Sequence, residues 1–371
     1  MEFSVSSAEL FFHLNKVIGP IGTNQVMPIL EDFLFKLSGD ELTITATDLE
    51  TTITTTLNVS SEDNGLFTCP AKMLIDTVKA LQNQPITIEI NDENHHIDIT
   101  SSFGKYSMSG HDPGDFPEVP RQKDVDTITL PSSILSKAIN KTLFAVSNDE
   151  MRKTMTGVFF QIDFSKITFV ATDAHKLVKF QYNGLESDVT TSFVLPKKSL
   201  VMLKSIIENE EDIAFEFDKS HALFTSGSTT LGCLMLEGKY PDYNMVIPAD
   251  NPNTLKVRKN DLLQSLKRLS IFANKTTNQT VFNITEHSLT LTSQDLDYSN
   301  EATEQLECEY DGKDLFIAFN AKFLIEMINS SDTENIIFKL DEANRPGILL
   351  PEENNENEDL LMLIMPVMLN Y

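Results

Sequence analysis

Only three of the 371 residues are cysteine, Cys69, Cys233 and Cys308, and they lie far apart, with no CxxC pair and an odd count. This excludes a disulfide scaffold and a cysteine-built zinc site, and it points to a reducing compartment. No apolar run is long enough to cross a bilayer. The opening MEFSVSSAELFFHLNK has neither a basic start nor an uninterrupted apolar stretch, so the chain reads as soluble and cytoplasmic. No phosphate-binding glycine motif follows a strand, which leaves a nucleotide site unsupported. Glycine and proline are unremarkable at 14 and 15, and with 41% hydrophobic residues the composition is globular. Basic residues are scarce, 29 against 55 acidic ones for a net charge of -26. Spread evenly, that charge would keep nucleic acid away, so its distribution decides the matter.

What the chain does have is repetition. Residues 167–180, ITFVATDAHKLVKF, read as two strands around a Thr172-Asp173-Ala174-His175 corner. Asp173 and His175 have the types a general base and its orienting acid need. The same signal returns at 42–53 as LTITATDLETTI without the histidine, which weakens a catalytic reading. Residues 3–18 read as a strand and a helix, and the pattern recurs at 128–146 and 255–273 from Phe3, Ile128 and Leu255. Phe67-Thr68-Cys69-Pro70 returns around Phe193 and again around Phe316, and the linker words Asp115-Phe116-Pro117 and Lys239-Tyr240-Pro241 match. We expect an α+β protein of three tandem copies, 1–120, 127–246 and 247–371. Each copy is two halves of strand, helix and three strands, which gives six helices per chain.

Those helices differ in charge from everything else. The six segments 4–19, 70–82, 131–147, 196–209, 255–275 and 320–330 hold fifteen basic and five acidic residues, a net +10, while the rest of the chain carries -36. Lysine's preference for helices is the plain alternative explanation of the skew, set against glutamate's equal preference. A basic surface on helices with an acidic shell behind it suits phosphate-backbone binding without sequence readout.

With the words GPIG at 19–22, MPIL at 27–30, TDLE at 47–50, DFP at 115–117, ATDAHKL at 171–177, YPDY at 240–243 and the MP-hydrophobic ending at 365–369, the chain resembles the bacterial beta sliding clamps. These are the processivity subunits of DNA polymerase III. The resemblance implies a non-catalytic head-to-tail homodimeric ring, with helices inside and sheets outside, that encircles duplex DNA. It needs no cofactor and no metal. DNA-facing side chains would be Lys72, Lys79, Lys137, Lys141, Arg152, Lys197, Lys198, Lys204, Lys267, Lys275 and Lys322. Short hydrophobic peptides of the replicative polymerase, the clamp loader, other polymerases and repair proteins would dock against Met155, Thr172, Ala174, His175, Lys176, Leu177, Pro241, Met245, Val246, Gly347, Leu363, Met365, Pro366, Val367 and Met368. Ring closure would bring Lys105, Tyr106 and Met108 of one copy to Ile271, Phe272, Glu301 and Glu304 of the next. Methionine at several docking positions suits a pocket serving many partners. Where the family often carries arginine, this chain has Lys176, Met245 and Met368, and the loop Thr23-Asn24-Gln25 lacks the arginine some members place against DNA. Asn370 and Tyr371 extend past the usual end.

Other chemistry stays in view. A hydrolase built on Asp173 and His175 would need a third partner that the sequence does not offer. A repeat scaffold binding only proteins is a second alternative, which retention on circular but not on linearised DNA would separate from a clamp. His96 and Asp98 share a strand face, which an exposed polar strand explains more simply than a metal does. The acidic tract 352–359 reads as a solvated hairpin tip.

Overall fold

The computed structural model describes residues 1–23, 26–118, 125–207 and 212–368. The Asn24-Gln25 loop and the Asn370-Tyr371 extension therefore lie outside the described residues. The first copy contains β1 (Glu2–Ser6), α1 (Ser7–Val17), β2 (Asp32–Ser38), β3 (Glu41–Thr47), β4 (Thr51–Asn58), β5 (Asn64–Pro70), α2 (Ala71–Ala80), β6 (Pro85–Asn91), β7 (His96–Ser101) and β8 (Gly104–Ser109). The second has β9 (Asp126–Pro131), α3 (Ser132–Thr142), β10 (Gly157–Asp163), β11 (Lys166–Thr172), β12 (Lys176–Tyr182), β13 (Thr191–Pro196), α4 (Lys197–Ile206), β14 (Asp212–Phe217), β15 (His221–Ser226) and β16 (Thr229–Leu234). The third has β17 (Asn253–Arg258), α5 (Lys259–Leu269), β18 (Gln279–Thr285), β19 (Ser288–Asp295), β20 (Asn300–Glu307), β21 (Glu309–Asp311), β22 (Leu315–Asn320), α6 (Ala321–Ser330), β23 (Asn335–Leu340), β24 (Gly347–Pro351) and β25 (Glu358–Ile364). The order strand, helix, three strands thus recurs six times, with β21 as an addition. Pro28 opens a 3-10 turn, Pro28–Glu31, directly ahead of β2.

The halves are not self-contained. β1 pairs antiparallel with β6, and β5 with β2, so the first strand of each half joins the sheet of the other. The chain divides into two compact units, Met1–Ser136 with Lys198–Met235, and Lys137–Lys197 with Leu236–Tyr371. Unit 1 holds a four-stranded sheet β1-β6-β7-β8 and an eight-stranded sheet β5-β2-β3-β4-β16-β15-β14-β9. Unit 2 holds a nine-stranded sheet β13-β10-β11-β12-β25-β24-β23-β17-β21 and a four-stranded sheet β20-β19-β18-β22. Each long sheet crosses a copy boundary by one antiparallel joint. Ile53 faces Leu231 across β4 and β16 in unit 1, and Val178 faces Met362 across β12 and β25 in unit 2.

Period-two burial puts one face of each sheet under helices. On α1, Leu10, Leu14 and Val17 recur at helical spacing and are fully buried against α2, β3 and β4. On α5, Leu262, Leu266 and Leu269 do the same against α6, β19 and β20. Each such leucine contributes about 2 kcal/mol of burial. Phenylalanines fill the sheet side, with Phe35 stacked on Phe67 at 4.7 Å and Phe160 edge-on to Phe169 at 4.8 Å. Among the described residues the last strands of the other four halves pair, β4 with β16 and β12 with β25, whereas β8 in unit 1 and β20 in unit 2 end their four-stranded sheets without such a partner.

Candidate functional site

The 172–175 corner is built by two side chains acting on the backbone. Thr172 Oγ1 accepts from Ala174 N at 3.2 Å and donates to Lys176 O at 2.8 Å. Asp173 Oδ1 accepts from His175 N and Lys176 N at 2.9 and 2.8 Å. Ala174 is left in the left-handed region, φ 74. The carboxylate is thus occupied by the turn, and its second oxygen lies 2.8 Å from Lys176 Nζ. The acid-base pair of the alternative hydrolase reading is not formed: exposed His175 stacks instead beside Phe323, with ring centroids 6.1 Å apart. The 47–50 corner of unit 1 is built alike, with Asp48 Oδ1 accepting from Glu50 N and Thr51 N, and Leu49 at φ 76.

Two residues beyond the corner the sheet carries a roof. Leu177 and Leu363, paired across β12 and β25, lie under Tyr240 and Tyr243 in one buried cluster with Val170 and Val194. Tyr240 stacks on Phe159 at 4.7 Å, and Tyr243 donates to Gln161 Oε1 at 2.9 Å. The 3-10 turn Tyr243–Val246 then presents Met245 and Val246 outward, 84% and 51% exposed. On the other side Met365 N donates to His175 O, and Val367 N to Ala318 O, each at 2.8 Å, which lays residues 365–368 along the corner. The expected docking wall therefore separates into two groups. Ala174, His175, Pro241, Met245, Val246, Met365 and Met368 are exposed, with Pro366 and Val367 half-buried. Met155, Thr172, Lys176, Leu177, Gly347 and Leu363 are buried and support that surface from beneath.

Lys176 needs correction most. Only 5% of it is exposed, its Nζ lies 2.8 Å from Asp173 and 3.3 Å from Glu326, and it sits 4.1 Å over the Phe323 ring. It is an internal cation and offers no charge at the rim. Glu326 and Phe323 were missed because they lie some 150 residues along the chain, on α6. Met151, 92% exposed in the turn ahead of Met155, was also missed.

The basic side chains divide similarly. In unit 1, Lys72 and Lys79 on α2 and Lys204 on α4 are exposed, and Lys198 is exposed but paired with Asp48. In unit 2, Lys267, Lys275 and Lys322 are exposed, Arg152 pairs with Asp149 at 3.2 Å, and half-buried Lys197 donates to Asn148 at 3.4 Å. Lys141 departs from the expected exposure: it is buried, bonded to Ser330 O and 2.6 Å from Asp332. Lys137 is half-buried and bound to Glu358 at 2.6 Å. Glu358 belongs to the acidic hairpin expected to be solvated, and this pairing buries it. The described residues contain no cluster of histidine, cysteine and carboxylate suited to a metal. Asp98 is held instead by Ser107 and by Lys105 at 3.0 Å, which lower its carboxyl below the usual range.

At the β8 edge Tyr106 borders an 870 Å³ cavity, lined also by Met73, Ala80, Leu81, Lys72 and His111. Met108, expected at a subunit contact, points inward and accepts from buried Cys69 Sγ at 3.4 Å. At the β20 edge Arg268 holds Glu304 with two bonds, 2.7 and 2.5 Å, which keep the Glu304 carboxyl below its ordinary range. Beside it Ile271 and Phe272 are 66% and 39% exposed.

Residues 1–120, 129–242 and 244–368 match the N-terminal, central and C-terminal domains of the DNA polymerase III beta subunit. Among curated proteins the chain is 29% identical to the beta sliding clamp of Synechococcus elongatus, over 97% of both chains, and 24% identical to that of Vibrio cholerae over the whole of both. Among solved structures, the Thermotoga maritima DNA polymerase III beta subunit is 26% identical, with a TM-score of 0.91 and complete coverage of both chains. A sliding clamp from Bartonella birtlesii bound to griselimycin is also 26% identical, with a TM-score of 0.93 and complete coverage of both.

Proposed function

Since this chain belongs to the DNA polymerase III beta subunit family, we propose that two copies of it close head to tail into a ring around duplex DNA, with clamp domains at 1–120, 127–246 and 247–371. The protein is a DNA sliding clamp, a non-catalytic processivity factor. The observation that carries the ring is the pair of free edges. Inside the chain, the third strand of one copy's first half joins the third strand of the next copy's second half, as β4 to β16 and β12 to β25. β20 and β8 hold those same two positions and have no described partner, so β20 of one copy adds to β8 of the next. Counting in the register of the internal joints sets Ala302 opposite Tyr106, Glu301 opposite Ser107 and Thr303 opposite Lys105. Ile271 and Phe272 then come to the cavity beside Tyr106.

DNA is held by exposed lysines of the helices, Lys72, Lys79, Lys204, Lys267 and Lys322 among them, through phosphates and without base readout. Residence comes from topology, so weak and exchangeable contacts suffice. The replicative polymerase, the clamp loader, other polymerases and repair proteins tether through hydrophobic peptides on the exposed Ala174, His175, Met245, Val246, Met365 and Met368. The griselimycin complex of the Bartonella relative supports a peptide-binding pocket. The working site is the cytoplasm, at the nucleoid.

Disulfide cross-linking tests the register. In a Cys308→Ser background, Ser107→Cys with Glu301→Cys gives an intermolecular bond on mild oxidation, because residues directly opposite lie about 5 Å apart. Ser107→Cys with Gln305→Cys, displaced by roughly 13 Å along the strand, does not. The cross-linked ring stays on a nicked circle in high salt and leaves once the circle is cut. Equal cross-linking of both pairs, or equal retention before and after cutting, overturns the proposal.

A further inference from the structure

Five of the thirteen methionines are exposed, Met73 in unit 1 and Met151, Met245, Met365 and Met368 in unit 2. Three of the five belong to the docking surface, where Met245, Met368 and Met365 are 84%, 69% and 39% exposed. Met155, Met327 and Met362 of the same unit are buried. The fold does not demand methionine at the corner. Leu234 N donates to Glu50 O at 2.9 Å as Met365 N donates to His175 O at 2.8 Å, so leucine holds the corresponding place at the joint of unit 1.

A thioether in water reacts with peroxides, which thiolates otherwise intercept. The thiols of this chain compete poorly. Cys69 and Cys233 are buried, and burial raises both, Cys233 to about 12. Partial burial raises Cys308 in the same direction. All three therefore stay protonated at neutral pH, which leaves the exposed methionine sulfurs as the first targets of an oxidant.

We propose that Met245, Met365 and Met368 form a reversible oxidation site, at which peroxide releases partner peptides from the docking surface. This control rests on the docking reading given above. The sulfur lone pair attacks one peroxide oxygen and the O–O bond breaks, which leaves a sulfoxide and water. Sulfur is oxidised by two electrons and the peroxide is reduced by two. A thiol-dependent sulfoxide reductase reverses the step, as two thiols become a disulfide and the sulfoxide oxygen leaves as water. Oxidation turns a flexible apolar side chain into a polar, chiral one. A hydrophobic peptide docked on it covers an oxygen that has lost its water without gaining a donor, and affinity falls. Near the ring edges the one exposed methionine is Met73, which borders the cavity beside Tyr106, while Met108 on β8 is buried.

Hydrogen peroxide treatment of the full chain in a Met73→Leu background, mapped by mass spectrometry, tests the proposal. Met245, Met365 and Met368 should gain one oxygen at least about tenfold faster than Met155, Met327 and Met362. A fluorescein-labelled pentapeptide containing leucine and phenylalanine, followed by polarisation, should then bind about tenfold more weakly. Treatment with the two epimer-specific sulfoxide reductases should restore its affinity. With Met245→Leu, Met365→Leu and Met368→Leu combined, the affinity, whatever its starting value, should be the same before and after peroxide. Equal oxidation of buried and exposed methionines, unchanged affinity with the three sulfoxides mapped, a loss that the reductases do not reverse, or a loss that persists in the triple variant overturns the proposal. Absence of binding before any peroxide overturns the docking reading itself, and this control with it.

Discussion

The two internal joints are the same piece of architecture with different outer faces. Across β4 and β16 of unit 1 the outward pair is Thr52 and Gly232, and the missing side chain leaves a 60 Å³ dimple bordered by Leu49, Leu223 and Leu234. Across β12 and β25 of unit 2 the same positions hold Leu177 and Leu363, buried beneath Tyr240 and Tyr243. Beneath the corner, unit 1 joins Thr51 to Ser199 by a 2.8 Å hydroxyl bond, whereas unit 2 sets Lys176 over Phe323 and between Asp173 and Glu326. Repetition therefore fixes the joint but not its use. A few residues turn one joint into plain sheet and the other into a rigid base for an exposed methionine-rich surface.

Making the second joint resemble the first should have the largest effect. Leu363→Gly removes a leucine that fills the cluster under both tyrosines, at a cost of about 3 to 5 kcal/mol in chemical unfolding, with peptide docking lost at the same time. A cost below about 1 kcal/mol would mean the roof does not depend on it. The reverse change is mild. A Cβ on Gly232 would meet Leu223 Cδ1 at 3.4 Å, an ordinary contact. Gly232→Leu should shift stability by no more than about 1 kcal/mol, and a severe loss would break the comparison.

The supports under the two corners come next. Lys176→Met keeps the stem over Phe323 but leaves Asp173 and Glu326 without their cation, and it should cost about 2 kcal/mol. Thr51→Val in unit 1 loses one hydroxyl bond and should cost about 1 kcal/mol. Equal losses in thermal unfolding would show that the ion pair and ring contact add nothing over a hydroxyl pair.

Much of this was legible in the sequence, for definite reasons. The threefold order and the corners could be read because their words recur, and because Thr and Asp build a left-handed turn wherever they stand ahead of it. The exchange of β1 and β5 between halves could not, since period two tells a strand's face and not its neighbour. Nor could the burial of Lys141 and Lys176. A charge read along the chain treats every lysine as free, whether Lys141 on α3 or Lys176 on β12, while Asp332 and Glu326, which neutralise them, arrive from the third copy. The proposed docking residues come from the resemblance as one undivided set, while which of them are exposed and which lie buried depends on Tyr240 and Tyr243 folding over the sheet.

The smallest predicted effect concerns the feature both joints share. Leu49 and Ala174 adopt φ 76 and 74, where a Cβ costs roughly 1–2 kcal/mol. Glycine removes that strain but adds freedom to the unfolded chain worth about 0.4–1 kcal/mol. Ala174→Gly, which sacrifices only a methyl, should therefore stabilise unit 2 by about 0.5 kcal/mol. Leu49→Gly also loses a side chain that is half exposed and borders the dimple, so its gain should fall to about zero. A clear destabilisation by Ala174→Gly would mean that its methyl, and not the Thr172 and Asp173 bonds, holds the corner in shape.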